Sequence, residues 1–208
     1  TVKGAGGLAA AWLVLLVVHP DHCRRGRGRA LVAESAARAR AAGAVDMHLG
    51  TAFPRYVWPG VDFRFTAALA LFEATGFEPY GAACNMAIPT SFRADSPAGV
   101  VVEREGGDGT AALASRSFPH WLDEVERAAV AGTCYAARAG RDTVGFACHS
   151  VNRAGWFGPT GTDPACRGAG IGHALLGEVC RDVMVAGFAD LEISWIGPMR
   201  FYAKAGGS

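Results

Sequence analysis

The strongest constraint on this chain is that part of it occurs twice. A stretch near the start returns near the end at a constant offset of 144 residues, which carries Pro20 onto Pro164. No gap is needed. Gly26, Gly28, Ala30, Leu31 and Glu34 fall on Gly170, Gly172, Ala174, Leu175 and Glu178. A recurrence of this kind marks a repeated supersecondary unit. Each copy has the same local grammar: an apolar run (residues 12–18, and more weakly 156–162), a proline, a Gly-rich loop, then Ala, Leu, Glu and Arg in helix-forming proportion. A short extended segment follows a helix-ending glycine in both, residues 45–49 after Gly43 and residues 191–196 after Gly187. An aromatic helical stretch closing on Gly comes last, at residues 67–77 and 199–206.

Between the copies, residues 89–98 are rich in Pro and Ser and read as a linker. Beyond them, residues 99–103 are expected as a strand, 119–131 as a helix, and 134–139 and 144–151 as strands joined by the turn Gly140-Arg141-Asp142. Strands interleaved with helices imply an α/β (α+β) chain with a mixed sheet. Two related units in tandem are expected, at residues 1–88 and 99–208, the first truncated on its N-terminal side because it holds only the later half of the element order.

A strand that feeds a helix through glycines leaves backbone N–H groups pointing outward where the helix dipole is positive. Such a junction binds phosphate, and glycine lets the anion approach the main chain. Arg24, Arg25, Arg27 and Arg29 would reinforce the first loop. Three anion-binding patterns compete. A P-loop needs a lysine that neither copy offers. A dinucleotide fingerprint is opened by Gly168-Ala169-Gly170 with Asp190 further on, but His173 fills the third small position and Asp190 begins its strand. The third pattern, R-x-x-G-x-G, is met by Arg167-Gly168-Ala169-Gly170-Ile171-Gly172.

With that loop, and with Phe201-Tyr202-Ala203-Lys204-Ala205-Gly206 as an F-Y-x-K-x-G helix, the sequence resembles the GNAT superfamily of acyl-CoA-dependent N-acyltransferases. The resemblance covers about residues 99–207 and, in the first unit, about residues 8–77. It implies two GNAT-like folds and direct transfer of an acetyl or similar acyl group from acyl-CoA to an amine of a small molecule or peptide in a ternary complex. It places acyl-CoA on Arg167 to Gly172 and on Arg24, Arg25, Gly26, Arg27 and Gly28, with no metal. It makes Tyr202 the proton donor to the leaving thiolate and a backbone N–H within residues 157–162 the donor to the carbonyl. His149 and Glu192 are the candidates for the base; the competing readings are a satisfied core histidine and a solvated glutamate, and for Tyr202 a core aromatic. Gly158, Pro159 and Gly161 interrupt their strand, which suggests a bulge or a splay of the kind the family opens for the pantetheine arm. The first copy departs from the pattern: Cys23 stands where the motif wants Arg or Gln, and Phe72 where the second copy has Tyr202. A non-catalytic acyl-CoA binder is therefore the second reading. Residues 56–62 could line an acceptor pocket or pack between the halves.

A formal net charge of +1 gives no broad field for nucleic acid or an anionic membrane, and one short Arg cluster does not supply it. The apolar run at residues 8–18 is too short to span a bilayer and is followed by His19-Pro20, so a buried strand is preferred to a signal peptide. Six cysteines without C-x-x-C pairs argue against a zinc ribbon or a disulfide scaffold and suit a reducing cytoplasm. Oligomeric state, a homodimer included, stays open.

Overall fold

The computed structural model describes residues 2–3, 9–51, 57–104 and 108–208. Leu8, at the head of the first apolar run, and Tyr56, at the head of the aromatic loop, lie outside them. The chain divides into two compact units, one within residues 1–83 and one over residues 84–208.

In the first unit, β1 (Val2–Lys3), β2 (Ala9–Leu13) and β3 (Asp46–Leu49) form a sheet in that order. Strands β2 and β3 are parallel, with Trp12 opposite His48. The crossover that parallel pairing requires is α1 (Arg27–Ala41), and α2 (Thr66–Glu73) follows. The expected strand at residues 12–18 is shorter than its apolar run. Gly50, at φ 106°, turns the chain away after its N–H reaches the Leu13 carbonyl at 3.2 Å. Beyond that rung β2 has no strand partner among the described residues, and Val14, Leu15 and Val17 are exposed.

The second unit runs β4 (Met86–Pro89), β5 (Val100–Arg104), α3 (Asp108–Ser117), α4 (Leu122–Ala131), β6 (Cys134–Ala139), β7 (Asp142–His149), β8 (Phe157–Thr162), α5 (Ile171–Val185), β9 (Asp190–Ile193) and α6 (Met199–Ala203). Strands β5 to β8 form an antiparallel meander, while β9 pairs antiparallel with β4. The two sheets meet through one parallel bridge, Trp156 to Glu192. The architecture is the mixed α/β class expected. Helix α3 was not legible in its sequence, because Gly109, Thr110, Ser115 and Ser117 are weak helix formers. It forms because Thr110, Leu113 and Ala114 are buried on one side of it. Strand β4 was hidden too, since its partner β9 lies a hundred residues away.

Period-two alternation splits the core between the sheet's faces. Ala147 joins the layer under α5 with Leu175, Leu176, Val179, Leu191, Ile193 and Tyr202. Phe146 and Cys148 join the opposite layer with Leu113 of α3 and Val125 of α4.

Candidate active site

The two Gly-rich junctions share one backbone course. Pro20–His22 and Pro164–Cys166 are both single 3₁₀ turns, and each is preceded by a side chain that accepts from the backbone two residues on. His19 Nδ1 takes the Asp21 N–H at 3.3 Å, and Asp163 Oδ1 takes the Ala165 N–H at 3.0 Å. Cys23 and Arg167 follow in the same extended conformation, at φ −65° and −67°. Gly26 and Gly170 then cap the helices in the left-handed region, at φ 77° and 89°. Only glycine enters that region freely. One turn earlier the copies differ: Gly168 sits at φ 82°, and its counterpart Arg24 is forced to φ 59°.

Across residues 167–172 no N–H donates to a protein group among the described residues, and the same holds for residues 24–28. These N–H groups sit at the positive end of fifteen-residue helices and are largely exposed. N–H groups left open at a helix start are the kind of donor set that suits a phosphate or diphosphate.

Strand β8 is built to part from β9. Opposite β7, Cys148 faces both Gly158 and Pro159, so β8 carries a bulge. On its other edge, among the described residues, the pairing toward β9 is a single bridge at Trp156–Glu192, just before β8, sealed by the Glu192 N–H on the Gly155 carbonyl at 3.1 Å. From there to the Gly-rich loop the two strands share no ladder. Two polar atoms near that bridge, Trp156 Nε1 and Ser194 Oγ, are buried without a hydrogen-bond partner among the described residues. Buried polar atoms of this kind are uncommon and suit a ligand or water with its own polar groups.

The candidate side chains lie on both faces of this gap. Tyr202, on α6, is 5% exposed and packs edge-on against Phe157 of β8 with ring centroids 6.1 Å apart. Burial pushes its phenol up to about 12. Neighbouring Phe201 stacks on His173 at 4.4 Å and lies over Gly172, which holds α6 beside the loop. Glu192 lies between Leu191 and Ile193, both in the layer under α5 with Tyr202, so alternation directs its carboxylate to the opposite face. There Arg153 pairs with it at 3.2 Å and covers the Trp156 ring at 5.1 Å.

His149 has a different setting. Its Nε2 meets Asp182 Oδ2 at 2.7 Å and its Nδ1 meets Ser150 Oγ at 3.1 Å, so both ring nitrogens are engaged. Asp182 also accepts from Arg104 at 2.6 Å, and Arg104 donates to Tyr135 at 3.0 Å. Burial lowers the His149 pKa, against the raising effect of the Asp182 hydrogen bond. For Asp182, burial is outweighed by Arg104 and His149, and its carboxyl stays below the usual range. Sequence reasoning missed Asp182, Arg104 and Tyr135, which come from α5, β5 and β6 and carry no local signal. No group of three or more metal-ligating side chains occurs among the described residues.

No protein-family model matches the chain, and no curated protein does. Solved structures do. A glucosamine N-acetyltransferase region, GCN5-related, of a fungal multi-domain GH3 β-N-acetylglucosaminidase superposes with a TM-score of 0.75 at 20% identity, over 95% of this chain and 28% of that one. A tandem GNAT protein from the clavulanic acid biosynthesis pathway gives 0.70 at 19% identity, over 97% and 72%. A GCN5-related N-acetyltransferase from Sphaerobacter thermophilus gives 0.64 at 24% identity, over 92% and 67%. The chain thus spans about a quarter of the first of these proteins and about two thirds or more of the others. Its fold is that of the GCN5-related N-acetyltransferases.

Proposed function

We propose that the chain is a tandem GNAT-type N-acyltransferase, with a partial first unit, whose second unit moves an acetyl or similar acyl group from acyl-CoA to an amine of a small molecule or peptide. The observation that carries this is the unbroken row of free N–H groups from Arg167 to Gly172, set at the end of a gap between β8 and β9. The row suits the diphosphate, and the gap, flanked by Trp156 Nε1 and Ser194 Oγ, suits the amide-bearing arm. Bound acyl-CoA would supply the acyl group as a thioester. The unladdered edge of β8 offers backbone N–H groups that can polarise a carbonyl lying along it.

Glu192 is the group we assign to remove the proton from the amine. It is partly exposed, faces the side opposite Tyr202, and is held among the described residues by Arg153. His149 is assigned a positioning role instead, since acting as a base would require giving up one of its two hydrogen bonds. Tyr202, with its pKa near 12, stays protonated at every physiological pH. That makes it a steady hydrogen-bond donor to a developing thiolate rather than a strong acid. The loop of the first unit is open to the same diphosphate, but Phe72 offers no hydroxyl there.

Thiol release from acetyl-CoA across a panel of amino sugars, amino acids and polyamines tests the reading; the amino sugars earn their place from the glucosamine N-acetyltransferase region that superposes on this chain. Turnover with at least one amine is expected. Tight binding without turnover on any would favour the non-catalytic binder, and no binding by folded protein would overturn both.

A further inference from the structure

Beside the second loop, and separate from the gap, lies a cavity of about 410 Å³ lined by Arg116 of α3, Arg138 and Arg141 of the β6–β7 hairpin, and Asp142, Asp163 and Cys166. Its charges are unevenly paired. Arg116 is paired with Asp163 at 3.0 Å and Arg138 with Glu103 at 2.8 Å, whereas Arg141 has no ion-pair or hydrogen-bond partner among the described residues. With Glu103 counted, three guanidiniums meet three carboxylates; Asp163 and Glu103 are taken by Arg116 and Arg138, and Arg141 is the guanidinium left without an ion pair among the described residues.

The position of the cavity limits what it can bind. Asp163 directly follows β8 and Trp156 directly precedes it, so the cavity lies a strand's length from Glu192, roughly 20 Å at ~3.3 Å per residue. That is too far for the group that carries the amine. It adjoins instead the loop assigned to the diphosphate, through Asp163, Ala165 and Cys166. A coenzyme A whose diphosphate rests on that loop carries one more anion close by, the phosphate on its ribose 3′-oxygen. Guanidiniums are suited to such a dianion, because their N–H groups match its oxygens and stay charged at all physiological pH.

We infer that the cavity of Arg116, Arg138 and Arg141 receives the ribose 3′-phosphate of coenzyme A, so that this chain distinguishes coenzyme A from its 3′-dephosphorylated form. The inference rests on the acyl-CoA reading of the loop. Arg141 is the contact to test, since it stands on a turn and removing it breaks no ion pair.

Calorimetry on the full chain should compare acetyl-CoA with acetyl-dephospho-CoA, for the natural protein and for Arg141→Ala. The natural chain should bind acetyl-CoA more tightly by about tenfold, the worth of one charge-assisted hydrogen bond. Arg141→Ala should lose most of that preference by weakening acetyl-CoA alone, and Arg141→Lys should restore part of it. Equal affinity of the natural chain for the two cofactors, or equal weakening of both by Arg141→Ala, overturns the cavity assignment while leaving the acyl-CoA reading intact. Failure of the folded chain to bind either cofactor overturns both.

Discussion

Helices α1 and α5 are the same length, lie at the same offset and begin on the same left-handed glycine, yet one is mostly exposed and the other mostly buried. Val32 is the only buried residue of α1, against Ile171, Ala174, Leu175, Leu176, Gly177, Val179, Cys180 and Val183 in α5. The difference lies in the sheets. Helix α5 covers a sheet that continues through β7, β6 and β5, whereas the described sheet of the first unit has three strands, one of them two residues long. The same loop and helix start can therefore be specified locally, while the energy holding the helix down depends on how much sheet lies beneath it.

The sharpest way to break this comparison is to truncate one side chain in each helix. Leu175 is fully buried and its counterpart Leu31 is 44% exposed. Leu175→Ala should cost about 2–5 kcal/mol and Leu31→Ala under about 0.5 kcal/mol, by urea unfolding. Equal costs would mean that α1 is covered in solution. The proposed catalytic asymmetry is tested next by exchanging the aromatic residues. Tyr202→Phe should lower kcat about 100-fold with the acetyl-CoA KM nearly unchanged, while Phe72→Tyr should change neither in a thiol-release assay. Unaltered turnover in Tyr202→Phe would return Tyr202 to the core.

Smaller effects are expected where the loops differ. Arg24 holds a left-handed conformation that glycine holds in the other copy, so Arg24→Gly should stabilise the first unit and Gly168→Arg should destabilise the second, each by ~1 kcal/mol in thermal melts. A same-sign result would show that Arg24 makes compensating contacts. The smallest effect is one of pH. Burial keeps His149 neutral, whereas the unfolded chain protonates it below its ordinary pKa of about 6.5. Its contribution is thus fully present above that pH and declines as pH falls below it. Unfolding free energy should drop between pH 7.5 and 5, and His149→Gln should flatten that slope.

Much of this arrangement was legible in the sequence because its signals are local. Prolines 20 and 164 begin the 3₁₀ turns, Gly26 and Gly170 cap the helices, and Gly43 and Gly187 end them with positive φ. Each acts within a few residues, so its effect can be read from spacing alone. What depended on distant partners was not legible. Whether residues 14–18 would extend β2, that residues 86–89 would pair with β9, and that Asp182 would bring together His149 and Arg104 all depend on segments far apart in sequence.

The sequence by itself determined the two Gly-rich turns, the helices they start and the donor rows those turns expose, since backbone sterics and helix ends need no remote help. Only the tertiary structure decided that Glu192 and Tyr202 stand on opposite faces of a parted sheet, that His149 is held on both sides, and that three arginines from α3 and the β6–β7 hairpin enclose one cavity. Strand pairing and packing set those outcomes. Both act between residues that only folding brings together.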